Sequence, residues 1–212
     1  MERLSTWSKS LTGSKPLFVF DLDSTITKCE LLPLIAESVG LDDKMAALTE
    51  AAMQGEVPFE QDFKKRVDLL KSVPLSAVRS IAARIPLNNE IAAFIRENPQ
   101  RCIILTGNLD VWIMPIIDKL GMKGRCLCSQ AQVCEDRLLG IASVLDKGTA
   151  SKKLAHPFVA IGDGSNDEGM IRTADIGIAF GGARKPPAGL IAAADMLVQD
   201  ENELITILKK LL

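Results

Sequence analysis

Short, unbroken apolar runs recur along this chain, and most of them end on small or polar residues. Leu17-Phe18-Val19-Phe20 follows Pro16 and stops at Asp21. Cys102-Ile103-Ile104-Leu105 stops at Thr106-Gly107, and Phe158-Val159-Ala160-Ile161 stops at Gly162-Asp163. Ile176-Gly177-Ile178-Ala179-Phe180 runs into Gly181-Gly182, and Met196-Leu197-Val198 is a weaker fifth run. Unbroken rather than alternating hydrophobicity predicts strands covered on both faces, as in a parallel sheet. Helical spacing fills the gaps over Asp110–Leu120 (with Pro115 inside), Thr149–Leu154, Asp167–Ala174 and Glu201–Leu211. Strands that alternate with helices predict right-handed crossovers and a doubly wound α/β sheet. The stretch Gln130–Ser143, with Asp136-Arg137 and Gly140, alternates in the manner of a small hairpin.

Residues 28–99 break this rhythm. Helical patterns cover Glu30–Val39, Asp42–Met53, Phe59–Leu70, Ser76–Arg84 and Asn88–Glu97, with Gly40, Gly55-Glu56-Val57-Pro58, Pro74 and Pro86 between them. No strand pattern interrupts them. The expectation is a core domain over 16–27 and 100–212, carrying a helical cap over 28–99 inserted after the first strand. A cap on two linkers predicts closure over a site and reopening for product. Residues Glu2–Lys15, rich in Ser, Thr and Lys, read as a partly ordered lead-in with Trp7 packed on the surface.

The whole-chain numbers narrow the partners. The chain has 212 residues, 47% hydrophobic and 25% charged, which suits one domain, or one domain carrying a sizeable insertion. Its formal net charge is -2 and only 4% of residues are aromatic. That balance gives no basic face for nucleic acid or an anionic membrane, and few stacking platforms for bases. No apolar run approaches the roughly 20 residues of a membrane span, and no signal-peptide pattern opens the chain. Five cysteines (Cys29, Cys102, Cys126, Cys128 and Cys134) are an odd count, several within apolar runs. Reduced thiols in the cytoplasm fit them better than a disulfide framework. Cys126, Cys128, Cys134 and His156 lack zinc-knuckle spacing, so buried thiols are the preferred reading. The composition leaves monomer and homodimer equally open.

The strand ends carry the candidate chemistry. In an open parallel sheet, ligands gather beyond the carboxyl ends of the strands. There the chain places Asp21 and Asp23, then Thr106-Gly107-Asn108, then Asp163-Gly164-Ser165-Asn166-Asp167. Four carboxylates on one edge repel one another unless a cation joins them. Mg2+ suits such a set, since it takes hard oxygen ligands and shares them with substrate phosphate. An Asp beside that cation can act as a covalent nucleophile toward phosphorus, and a second can move protons. Phosphoryl transfer also calls for a hydroxyl and a Lys to hold the phosphate. Thr106 supplies the hydroxyl. Lys147, in Asp146-Lys147-Gly148, is preferred as the Lys over Lys152 and Lys153.

Asp21-Leu22-Asp23-Ser24-Thr25, the strand-terminal Thr-Gly, the isolated Lys and Gly162-Asp163-Gly164-Ser165-Asn166-Asp167 follow in order. This series resembles the four motifs of the haloacid dehalogenase superfamily, from about Leu17 to the last residue. The resemblance implies a Rossmann-like core, a Mg2+ cofactor and a small phosphorylated metabolite as substrate. It implies Asp21 as nucleophile and Asp23 as general acid/base, with phosphate contacts from Thr106, Gly107 and Lys147. Metal support would come from Asp21, Asp163 and Asp167 with the Asp23 backbone carbonyl, and Asn166 would orient nearby groups. Glu30, Met53-Gln54-Gly55-Glu56-Val57-Pro58-Phe59 and Arg66 are further similar to the phosphoserine phosphatase family. There the matching Glu and Arg hold the ammonium and carboxylate of the amino acid, and the matching Met and Phe shape and shield the pocket. Two departures stand out: Asn108 occupies a position that is Gly in that family, and Lys147 to Asp163 is short.

Two other readings accompany this one. The same hydrolase core on a different phosphorylated metabolite is motivated by Asn108. A phosphate-responsive signalling domain also uses an aspartyl-phosphate, but its Asp ends a later strand and carries no helical insertion. Transport ATPases have Thr in place of Asp23, and dehalogenases typically lack that acid. Asp23 therefore argues for hydrolysis.

Overall fold

A computed structural model describes residues 15–53 and 58–212, with the side chains of 50–53 left out of the description. The lead-in with Trp7, the side chain of Met53 and the Gly55-Glu56-Val57 segment lie outside the described residues. Along the chain come β1 (Leu17–Phe20), α1 (Leu31–Ser38), α2 (Asp42–Met53), α3 (Phe59–Leu70), α4 (Leu75–Ala82) and α5 (Asn89–Glu97). They are followed by β2 (Cys102–Leu109), α6 (Asp110–Leu120), β3 (Cys126–Cys134), β4 (Arg137–Ser143) and α7 (Lys147–Ser151). The last elements are β5 (Phe158–Gly162), α8 (Glu168–Thr173), β6 (Ile176–Phe180), α9 (Ala188–Ala193), β7 (Met196–Val198) and α10 (Glu201–Lys209).

Seven strands form one sheet in the order β4-β3-β2-β1-β5-β6-β7. All pairs are parallel except β3 with β4. The expected doubly wound α/β architecture is therefore the one observed. β5 and β6 are buried at every position, as continuous apolar runs covered on both faces should be. The chain leaves β1 toward β2 on one side and later returns to β5 on the other. The strand order thus reverses beside β1, and a crevice opens at that switch point.

Three expectations are corrected. The segment Gln130–Ser143 is more than a small hairpin: its first strand begins at Cys126 and pairs with β2, with Ile104 opposite Cys126. Thr106-Gly107-Asn108 does not end its strand, since β2 runs on to Leu109 with a register break after Leu105. The helix expected from Thr149 starts at Lys147, because the Asp146 side chain accepts from the Thr149 N–H at 2.7 Å and caps it. Helix α9 went unread, its Ala-rich run carrying too weak a period.

The two crossings into the insertion are zipped together. Lys28 N–H donates to Pro86 O and Asn88 N–H donates to Ile26 O, both at 2.9 Å, around a bridge between Thr27 and Leu87. The Asn88 amide adds a bond to Thr25 O at 2.8 Å. Beyond that latch, α5 lies against the sheet. Its Phe94 meets Phe18 edge-to-face at 5.2 Å and Phe20 at 6.3 Å, fully inside the core. Helix α4 is tied to the β3–β4 turn, where Asp136 accepts from Ser76 N–H at 2.7 Å and from the Ser76 hydroxyl at 2.6 Å.

Truncating Phe94 removes a ring wedged between β1 and α5. Phe94→Ala is expected to cost about 3–5 kcal/mol in urea unfolding. Phe59→Ala, at the rim of the crevice, is expected to cost under about 1.5 kcal/mol. Equal losses from both would contradict the placement of α5 on the sheet.

Candidate active site

The first turn of the site is held in an unusual conformation. Asp21 continues the ladder beyond β1 by donating its N–H to Ile161 O at 2.9 Å. Three residues on, Ser24 is left-handed at φ 60, and its N–H donates to the Thr27 hydroxyl at 3.1 Å. A non-glycine residue held at positive φ marks a turn whose shape is imposed by its surroundings. The side chains of Asp21 and Asp23 both line the crevice but have different partners. Asp21 turns into the crevice. Asp23 Oδ1 accepts from Leu31 N–H at 2.9 Å, capping α1, and its Oδ2 accepts from the Asn108 amide at 3.1 Å.

Opposite Asp21 stands Lys147, the first residue of α7. It reaches the site because Gly148 and Gly169 bring α7 and α8 into backbone contact. A Cβ on Gly169 would sit 2.8 Å from the Gly148 Cα. Lys147 Nζ donates to Asp21 Oδ1 and, at 2.5 Å, to Asp167 Oδ1. Asp167 Oδ2 in turn accepts from Asp163 N–H at 3.0 Å and Gly164 N–H at 2.9 Å. Gly162 makes this possible, since a Cβ there would lie 2.4 Å from the Asp167 carboxyl carbon. Lys152 and Lys153, the alternatives for the site lysine, are exposed.

Asp21, Asp163 and Asp167 each bring a carboxylate oxygen within 4.8 Å of the others, and all three are buried. The three carboxylates face the Lys147 ammonium and, beside Asp163, the Arg184 guanidinium, which is shared with Glu30, so the cluster is short of positive charge. Asp163 Oδ2 is buried and has no hydrogen-bond partner. A hard divalent cation fits both the deficit and the orphaned oxygen. The carboxylate of Asp23 is not in this trio, because Leu31 and Asn108 hold it elsewhere. The metal role that the resemblance implies for Asp23 is on its backbone carbonyl, not on this carboxylate.

Electrostatics follow from burial. Desolvation pushes the Asp21 carboxyl well above its usual range; Lys147 pulls it down, while Asp167, Asp163 and Asp23 push it further up. Asp163 is pushed up to about 7, by desolvation first and Asp167 second, against Arg184 and Lys147. Asp23 is raised by burial, offset in part by the Leu31 N–H and the Asn108 amide. Burial lowers the Lys147 ammonium, but Asp167 and Asp21 outweigh it and hold the charge on.

A cavity of about 350 Å³ opens over these groups, lined by Asp21, Asp23, Thr106, Gly107, Asn108, Asp163 and Asn166 from the sheet edge. Glu30, Phe59 and Arg66 line it from the helical insertion. The expected residues with described side chains therefore converge, with Lys147 buried directly behind Asp21. Phe59 covers Gly107 so closely that a Cβ there would lie 2.4 Å from its ring. Glu30 does not cap α1; its Oε2 accepts from Arg66 Nη2 at 2.7 Å. Burial raises the Glu30 carboxyl, but Arg66 and Arg184 overcome that and leave it below its usual range. Asn108 does not extend into the cavity as an unpaired group. Its amide serves Asp23, and its Oδ1 accepts from Leu109 N–H at 2.8 Å.

Arg184 was not anticipated. It lies between β6 and α9, with Nη1 at 2.9 Å from Glu30 Oε1 and Nε at 3.3 Å from Asp163 Oδ2. Nothing in Gly181-Gly182-Ala183-Arg184-Lys185 carries a periodic or motif signal. Its role depends on strand order, which brings the end of β6 beside the end of β5.

The comparisons with known proteins agree with this geometry. Residues 18–172 match the haloacid dehalogenase-like hydrolase family, and residues 141–211 match a second model of the same description. The chain belongs to the haloacid dehalogenase-like hydrolases. Within that family it is a phosphoserine phosphatase-like member. It is 31% identical over 180 residues to a phosphoserine phosphatase of Methanocaldococcus jannaschii, covering 78% of this chain and 85% of that protein. It is 30% identical over 195 residues to a phosphoserine phosphatase of Archaeoglobus fulgidus, covering 85% of this chain. The chain spans 55% of the length of that second relative. A solved structure of a phospho-aspartyl intermediate analogue of phosphoserine phosphatase superposes with a TM-score of 0.78 at 30% identity, covering 91% of this chain and 98% of that one. No described helix is long and apolar enough to cross a membrane.

The acid cluster makes a prediction about stability. A carboxyl raised in the folded state favours folding below its unfolded value and loses that contribution as pH rises through its folded value. For Asp163 the window runs from about 4 to about 7. Metal-free protein is therefore expected to lose this contribution across that range. Excess Mg2+ is expected to raise Tm by about 5 °C or more at pH 7.5 and by less at pH 5, where protons compete for the carboxylates. Differential scanning fluorimetry with EDTA or MgCl2 reads this directly. A Mg2+ shift that is absent, or equal at both pH values, would count against the trio as a metal site.

Proposed function

We propose that this chain is a Mg2+-dependent phosphomonoester hydrolase that works through an aspartyl-phosphate on Asp21 and acts on phosphoserine or a similar small amino-acid phosphate. The observation that carries the reading is the burial of the Asp21 carboxylate at the sheet switch point. There it is hydrogen-bonded to Lys147 and opens onto a cavity that also receives Asp23.

The chemistry divides among the chain's own residues. An Asp21 oxygen forms a bond to phosphorus while the ester P–O bond breaks. Asp23 gives its proton to the leaving oxygen, and burial raises its carboxyl above the usual range, the direction that favours a proton donor. Asp23 then takes a proton from water as the water oxygen bonds to phosphorus and the Asp21–phosphorus bond breaks. Thr106, Gly107 and Lys147 would hold the phosphoryl oxygens. Mg2+ held by Asp21, Asp163, Asp167 and the Asp23 carbonyl would neutralise phosphoryl charge.

Residues 28–86 would act as the cap, ending at the Thr27–Leu87 latch rather than at 99, since α5 packs on β1. Phe59 over Gly107 would exclude water above the phosphate. Glu30 and Arg66 would meet the amino-acid head, and Asn166 would orient the groups around the metal.

Phosphate release from phosphoserine with Mg2+ is the direct test. Wild type is expected to turn it over, and Asp21→Asn to lose roughly a thousandfold or more in kcat together with covalent labelling by radioactive phosphate. Retained labelling in Asp21→Asn would remove the nucleophile assignment. Turnover of other phosphomonoesters without phosphoserine would remove the substrate alone.

A further inference from the structure

A substrate anion needs a guanidinium with donors still to give. Arg66 has few. Its Nη2 donates to Glu30, its Nη1 lies 3.6 Å from Asp62, and its Nε faces Met45 Sδ at 3.4 Å. Two carboxylates already neutralise it, and its side chain is 11% exposed.

Arg184 is differently placed. Nη1 is engaged by Glu30, but Nε lies beside Asp163 Oδ2 without completing a hydrogen bond to it. Among the described residues Nη2 has no ion-pair partner. The side chain is 36% exposed, three times as open as Arg66, and lines the same cavity as Asp21. Pro186 and Pro187 follow Lys185 and restrict the loop that carries it. Glu30 offers one oxygen to each arginine, so it fixes Arg184 from the cap side while leaving the rest of the fork facing the cavity.

We infer that Arg184 is a specificity-determining residue that takes a carboxylate of the substrate, held ready for it by Glu30. The inference rests on the phosphomonoester reading above and narrows it. The substrates would be small phosphate esters bearing a carboxylate a few atoms from the ester oxygen, with Arg184 rather than Arg66 as its main receptor. A planar fork suits a carboxylate, whereas Lys offers only a point charge.

The test is a four-ester comparison with Mg2+: phosphoserine (carboxylate and ammonium), 3-phosphoglycerate (carboxylate only), phosphoethanolamine (ammonium only) and p-nitrophenyl phosphate (neither). Arg184→Ala is expected to raise KM at least tenfold for the two carboxylate esters, about 1.4 kcal/mol. Whatever change the four esters share, the rise in KM should be at least fivefold larger for the two carboxylate esters than for the other two. Arg184→Lys should fall between. A uniform change across the four esters, or none, would overturn the inference, as would a wild type that turns over only esters without a carboxylate. The Mg2+ concentration for half-maximal rate is measured alongside, and a shift there with parallel losses would mean that Arg184 acts through Asp163. Wild-type turnover of 3-phosphoglycerate but not phosphoserine would defeat the amino-acid reading while still supporting Arg184.

Discussion

The ammonium of Lys147, buried between the carboxylates of Asp21 and Asp167, is the contact on which the rest of this site depends. Three buried acids cannot share so small a volume without a cation, because each would raise the pKa of its neighbours until one protonated. Lys147 removes part of that conflict and does so from inside the protein. It needs α7 to begin one residue before Gly148, and it needs Gly148 and Gly169 to touch. The arrangement leaves unmet negative charge, and Asp163 Oδ2 completes no hydrogen bond. The fold thus supplies a buried, net-negative cluster whose donor set fits a hard divalent cation.

Around that cluster, the two halves of the molecule meet through a chain of alternating charges. Asp62, Arg66, Glu30, Arg184 and Asp163 run from α3 across the cavity to the end of β5. Each inner member contacts two opposite charges, so none carries an isolated burial penalty. Arg184 is the most exposed member of this chain of charges, and it borders the cavity. Phe59 closes the same seam from the apolar side, resting on the Gly107 backbone.

Much of the core was legible in the sequence because its signals are local. Unbroken apolar runs located β1, β5, β6 and β7, and the turn residues behind them located Asp21 and Asp163. The insertion helices over Asp42–Met53 and Phe59–Leu70 matched to the residue, since Gly and Pro mark their ends. What failed depends on pairing. β3 begins within an ordinary Cys-Leu-Cys run and becomes a strand because β2 offers it a parallel partner. The attachment of α5 to the sheet depends on Phe94 meeting Phe18, which local helical spacing cannot reveal. Arg184 sits in a loop without pattern, and only the neighbouring of β5 and β6 gives it a role.

Asn108 shows how a local departure from a family pattern can acquire a meaning in three dimensions. Read along the chain, it adds a side chain where the similar family has Gly, near the expected phosphate, and so argues for a different substrate. In the fold it lines the cavity, but both ends of its amide are engaged by the protein. It donates to Asp23, whose other oxygen caps α1, so both carboxylate oxygens of the candidate acid/base are held by the protein. A fixed carboxylate loses less freedom in the transition state than a mobile one. The same amide favours its ionised form and offsets part of the rise caused by burial. The departure is therefore tied to the Asp23 carboxylate, whose two oxygens are held by the Asn108 amide and the Leu31 N–H.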